Sequence, residues 1–65
     1  MDDPILKWFE YEHLADPLQE ATAPFAALAR KIAATVTAGP ERSVALRKLL
    51  EAKDAAVRAV VHPGG

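Results

Sequence analysis

Residues 42–61 read RSVALRKLLEAKDAAVRAVV, and the spacing of their apolar side chains decides the fold. Leu46, Leu50, Val57 and Val60 recur at i, i+4, i+11 and i+14, which places them on one face of a helix. Arg47, Glu51, Asp54 and Arg58 form a row of charge beside them at i, i+4, i+7 and i+11, a spacing that predicts Arg47–Glu51 and Asp54–Arg58 pairs. Lys53 falls inside the oily stripe, within about 20° of Leu46 at ~100° per residue. An ammonium in that position must snorkel to water, pair with an acid, or meet an anion brought by a ligand.

Upstream of this helix, Gly39-Pro40 reads as the C′ glycine of one helix and the first-turn proline of the next. Leu18, Ala21, Phe25, Leu28, Ile32 and Val36 form a stripe of helical period that would face residues 42–61. Asp3-Pro4 and Asp16-Pro17 each pair an N-cap acid with proline at the first helical position, and Gln19 completes a capping-box pattern with Asp16. The expected architecture is all-α: a short helix over 4–12, a link over 13–15, then an antiparallel αα-hairpin of helices 17–38 and 40–61 joined by a two-residue loop. Residues 62–65 form a frayed tail. Pro24 sits inside the first long helix, where it removes one backbone hydrogen bond and bends the chain.

A chain of 65 residues holds one domain and buries only about 60% of its unfolded surface. It has no cysteine, so disulfides, thiol nucleophiles and Cys-based zinc sites are excluded. His13 and His62 are too few for a usual His-based metal site, and no metal or cofactor is expected. Alanines line second faces of both long helices, among them Ala23, Ala26, Ala27, Ala33 and Ala34 on one and Ala45, Ala52, Ala55 and Ala59 on the other. Small side chains there admit further helices, and self-association is the cheapest remedy for so small a core. A homo-oligomer is expected.

The longest apolar runs fall far short of the ~20 residues of a membrane span, and the two early aspartates are unlike a basic signal segment. A soluble, intracellular protein is expected. Its net charge of −1 conceals an asymmetry. Residues 1–20 carry six acids against Lys7, a balance of −5, whereas residues 21–65 carry seven Lys or Arg against Glu41, Glu51 and Asp54, a balance of +4. Either the acidic segment packs on the hairpin of a neighbour, or the hairpin binds small anions. Bulk DNA or RNA binding calls for a larger positive excess.

Trp8, Phe9 and Tyr11 concentrate the aromatic character within four residues. Adjacent helical residues diverge by about 100°, so one or two rings anchor the segment and another is left at a surface or a shared interface. One reading is packing; the other is a stacking platform for a planar base, with Tyr11 best placed. Arg30, Lys31, Arg42, Arg47 and Lys48 complete the cations of the hairpin, and taken singly such residues are solvated surface. There is no glycine-rich phosphate loop and no HExxH, and Ser43 has no histidine at obvious reach. Binding is better supported than catalysis.

The stretch WFEYEHLADPLQEATAPFAALA, followed by PERSVALRKLLEAKDAAVRA, resembles small phage proteins of the anti-CBASS sponge group, over residues 7–60. An aromatic-His-Leu entry, the Pro24-Phe25 pair and the LRKLLEAKDAAVRA run carry the likeness. The resemblance implies a helical hairpin shared with sponges that counter the Thoeris defence, a homo-oligomer (often a hexamer), and sequestration of cyclic oligonucleotides without hydrolysis. The family's base-stacking tyrosine matches Tyr11, with Leu14 downstream, and an arginine late in the last helix matches Arg58. Its phosphate-binding lysine falls at Ala26, so Arg30, Lys31 or Lys53 would take that role, and its threonine for larger rings falls near Leu28.

The leading expectation is a phage anti-defence sponge in the cytoplasm of the infected bacterial host, not an enzyme, which binds cyclic di- or trinucleotides between protomers. Tyr11 would stack on a base, and Arg30, Lys53 and Arg58 would neutralise phosphates. The alternative is a helical interaction or structural accessory module with no nucleotide ligand. In that case Lys53 pairs with Asp2, Asp3 or Glu10 of a neighbour and Tyr11 is packed.

Overall fold

Asp3 opens the first element of the computed structural model, which describes residues 3–64, by accepting the Ile5 N–H on Oδ1 at 3.1 Å. Pro4 follows at the first helical position, as the sequence anticipates. The element is a 3₁₀ helix, Pro4–Phe9, and not an α-helix reaching residue 12. Aromatic residues are indifferent α-formers, and a 3₁₀ turn closes i→i+3 bonds at once, as in Leu6 N–H to Asp3 O at 3.0 Å. Its three-residue period also stacks Leu6 over Phe9, so both turn inward. Glu10 then takes an extended conformation and ends the helix.

The first long helix, α1, spans Asp16–Thr35, with Ala15 as its cap residue and no side-chain cap. The expected capping box does not form. The Leu18 and Gln19 N–H groups both donate to Ala15 O at 2.9 Å. The Gln19 amide instead reaches back across the preceding turn, donating to Leu14 O at 2.8 Å and Glu12 O at 3.1 Å. Pro24 is accommodated within the helix.

At its other end α1 stops at Thr35, short of the expected residue 38. Thr35 Oγ1 donates to Lys31 O at 2.7 Å, Val36 turns extended, and the link to the next helix is the four residues 36–39 rather than two. The freed carbonyls find a partner from outside the helix, since Arg42 Nη1 donates to Ala33 O and Val36 O at 3.1 Å each. Gly39 lies at the start of the second long helix, α2, Pro40–Val61, which has the bounds its sequence predicts. A four-residue link spans at most about 14 Å, and α2 packs back along α1 as the second arm of the hairpin. At its end the His62 N–H donates to Arg58 O at 2.8 Å, and Pro63 and Gly64 turn away; Gly65 lies outside the described residues.

Phe9 and Leu46 fill the centre, packed on Ala26 and Ala29 of α1. Thr22 is buried on the same row, with its hydroxyl donating to Leu18 O at 2.7 Å. So the face of α1 turned to the core is its small-residue face, not the large-residue stripe. Side chains at 22, 26 and 29 let the 3₁₀ helix and α2 approach closely enough for Phe9 and Leu46 to occupy the space. Leu18, Ala21, Phe25 and Ile32 are left half-buried at the flank, and Leu28 and Val36 are 47% and 46% exposed. Burying Phe9 and Leu46 contributes roughly 1.5–3 kcal/mol each. On α2, Ala45, Ala52, Ala55 and Ala59 all face solvent. No described helix is long and apolar enough to cross a membrane.

Candidate functional site

The 3₁₀ helix lies over the seam of the hairpin, and a hollow opens on either side of it. Along α2 runs a groove of about 490 Å³ in which Lys53 and Arg58 meet Lys7, Trp8, Glu10 and His13. Along α1 a hollow of about 770 Å³ holds Arg30, Glu10 and Lys7 beside Asp3 and Ala33. The α1-side hollow is larger, but its Asp3 carboxylate is already bound to Arg42. The α2-side groove has more of the cations that the sequence singles out.

Lys53 occupies the position its spacing requires, with its side chain 16% exposed beside the apolar stripe. Of the three resolutions open to it, the structure shows an acid, and the acid comes from its own helix: Nζ lies 2.9 Å from Asp54 Oδ1. Neighbouring helical side chains do not ordinarily face each other, but a long, poorly hydrated ammonium gains most from the nearest carboxylate. Asp54 is thereby drawn from Arg58, and Glu51 pairs with Lys48 at 3.7 Å, so the expected Arg47–Glu51 and Asp54–Arg58 pairs are not formed. Both partners of the Lys48–Glu51 pair are mostly exposed, and it contributes little. Glu10 lines the same groove without bonding to Lys53, Asp3 is engaged elsewhere, and Asp2 lies outside the described residues. Arg58 is exposed and has no ion pair among the described residues.

Tyr11 and Arg30 stand apart from this groove. The Tyr11 ring is half-buried and packs against the core cluster. Arg30 points to the Glu12 carboxylate at 3.9 Å, with both side chains more than half exposed. The Glu12 carboxyl is held below the ordinary carboxylate value of 4.5, mainly by backbone N–H groups of Glu12 and Tyr11. Arg30 and His13 add smaller electrostatic contributions in the same direction.

The ring that reaches the groove is Trp8, 59% exposed, with Lys7 Nζ 5.2 Å from its centroid. Phe9 is the anchor, at 2%. This division of the aromatic cluster follows from the 3₁₀ period and was legible only as the statement that some ring must be left outside.

The sequence reading also undervalues Arg42. Its Nη2 lies 3.2 Å from Asp3 Oδ2 while Nη1 bonds the end of α1, so one guanidinium joins all three elements. The planar fork suits this, because it presents several donors in fixed directions. Its Nε is buried and has no hydrogen-bond partner among the described residues. One signal is present in the sequence: a cation in the first turn of a helix runs against the helix dipole, which favours acids there. Comparison with protein-family models, with curated proteins and with solved structures finds no match to this chain.

Proposed function

We propose that this chain is a phage anti-defence sponge, of the anti-CBASS kind it resembles, which binds and sequesters cyclic di- or trinucleotides without hydrolysing them. The supporting observation is the groove along α2, where Lys53 and Arg58 converge beside Lys7 and an exposed aromatic ring. Arg58 is available to a phosphate as it stands. Lys53 becomes available when a phosphate takes the place of Asp54, whose half-exposed carboxylate can return to water. Arg30 completes the set of ligand contacts from the α1 side. The Thr22 hydroxyl in the groove wall donates to Leu18 O at 2.7 Å. Exposed Leu28, Val36, Val44 and Val60 supply apolar surface for a homo-oligomer, a hexamer by the resemblance, working in the cytoplasm of the infected host.

A second reading is a helical interaction or structural accessory module with no nucleotide ligand, and one observation favours it. Lys53 already has an acid at 2.9 Å and needs no ligand anion. Native mass spectrometry and calorimetry with a panel of cyclic oligonucleotides separate the two. Under the sponge reading, Lys53→Met binds more weakly by about 1.5–3 kcal/mol, the range for a charged hydrogen bond. The variant also stays within ~1 kcal/mol of the parent in stability, because the acid left behind is half-solvated. Ligand is recovered intact after heat denaturation. Linear nucleotide in that recovery would refute the non-enzymatic assignment, and absence of binding by every ring together with a destabilised Lys53→Met would leave the interaction module in possession.

A further inference from the structure

We infer that Trp8 is the ring on which a bound base stacks, and that Tyr11 acts only by packing; this rests on the nucleotide-binding reading above. The geometry begins with the 3₁₀ period. At three residues per turn each side chain is rotated by about 120° from the last, so burying Phe9 turns Trp8 outward over α2. The indole then stands as a partition. On one side is the groove with Lys53 and Arg58, and on the other a recess of about 350 Å³ with Arg47, Ile5 and Leu50. Tyr11 lines neither hollow.

The charges of the groove make a stacking surface necessary. Glu10 and Asp54 lie among Lys7, Lys53 and Arg58, leaving a small positive excess. Attraction for phosphate alone is weak in such a setting and screened by salt. A purine laid on the indole gains the stacking and apolar contact that the cations do not provide. Phosphates on either side of it can then reach Arg58 or Lys53 in one direction and Arg47 in the other; along α2 Arg47 lies about 16 Å from Arg58 and about 9 Å from Lys53. Lys7, now over the ring, is exposed and long enough to turn aside to a phosphate.

Trp8 is the chain's single tryptophan, so its emission reports this ring alone. The full-length chain is titrated with the cyclic dinucleotides of adenosine and of guanosine and with a cyclic trinucleotide of adenosine, following emission and heat together. The expected result is quenching that saturates with the heat, with Trp8→Ala weakening binding roughly 5- to 150-fold, Trp8→Phe weakening it less, and Tyr11→Ala changing it less than Trp8→Ala. Circular dichroism checks that each variant keeps the parent's helicity, which the exposure of Trp8 permits, and Tyr11→Phe stands in should Tyr11→Ala lose it. Heat of binding with unchanged emission, or a larger loss for Tyr11→Ala than for Trp8→Ala at matched helicity, would overturn the assignment and leave the nucleotide reading intact. No heat with any of the three rings removes both. Emission that shifts with protein concentration and not with nucleotide assigns the indole to a second copy of the chain and overturns the inference.

Discussion

Arg42→Ala tests whether one guanidinium holds the three elements together. The substitution removes the contact with Asp3 Oδ2 at 3.2 Å and two bonds at 3.1 Å to the last carbonyls of α1. Charged hydrogen bonds contribute about 1.5–3 kcal/mol when their partners are left stranded. Here the discount is large for Val36 O, which opens to water, and small for Asp3 and Arg42, whose side chains are 18% and 15% exposed. A loss of roughly 2–4 kcal/mol follows, against a total of about 3–10 kcal/mol for a chain of this size. Arg42→Lys keeps the charge but not the fork, and should recover only about half of the loss. Asp3→Asn keeps a side-chain oxygen for the Ile5 N–H and removes only the ion pair. The Asp3–Arg42 double-mutant cycle in urea, followed at the helical circular dichroism band, should give a coupling of about 1–2 kcal/mol. Arg42→Ala within ~0.5 kcal/mol of the parent, or strict additivity with Asp3→Asn, would refute the argument.

Other variants test the core, the loop and the turn. Leu46→Ala should lose about 2–5 kcal/mol and release the 3₁₀ helix, seen as a change in Trp8 emission; a mild loss with unchanged emission would mean that Leu46 is not the centre. Gly39→Ser adds a side-chain cap at an extended residue with nothing within 4 Å of a new Cβ. It should stabilise by roughly 0.5 kcal/mol in thermal melts, and a lower midpoint would contradict this. The depressed Glu12 carboxyl gives stability that is present above its unfolded value and lost as pH falls through the lower folded value. The Tyr11 amide resonance should therefore titrate below pH 4.5, and cease to do so in Glu12→Gln; a midpoint above 4.5 would reverse the sign.

α2 could be read from sequence to its ends because its signals are local: Gly39-Pro40 to start it and an uninterrupted period up to Val61. The end of α1 could not, because the group that accepts its last turn belongs to α2, and no scan of residues 33–36 contains Arg42. The 3₁₀ and α periods differ by only about 20° per residue, too little to separate them over the six residues Pro4–Phe9. The inward face of α1 was misassigned because hydrophobicity favours Leu28 and Val36, whereas close approach favours Ala26 and Ala29. For the candidate site, the half-buried placement of Lys53 was legible and its partner was not, since pairing with the next residue depends on a side chain bending along the helix. Lys53 and Arg58 share a groove; Tyr11 is placed elsewhere by the turn at 10–15, whose course depends on the Gln19 bonds to Glu12 O and Leu14 O, and Arg30 by its face of α1.

Asp3 and Arg42 are 39 positions apart, and that separation governs the order of events as the chain is made. The segment 3–10 is synthesised before the residues it docks on, Ala26, Ala29, Arg42 and Leu46. At about 5–20 residues per second, Phe9 and its flanking aromatics wait several seconds without their binding face. Asp3, Lys7 and Glu10 give this short aromatic segment charge of its own, which opposes association while its docking face is still missing.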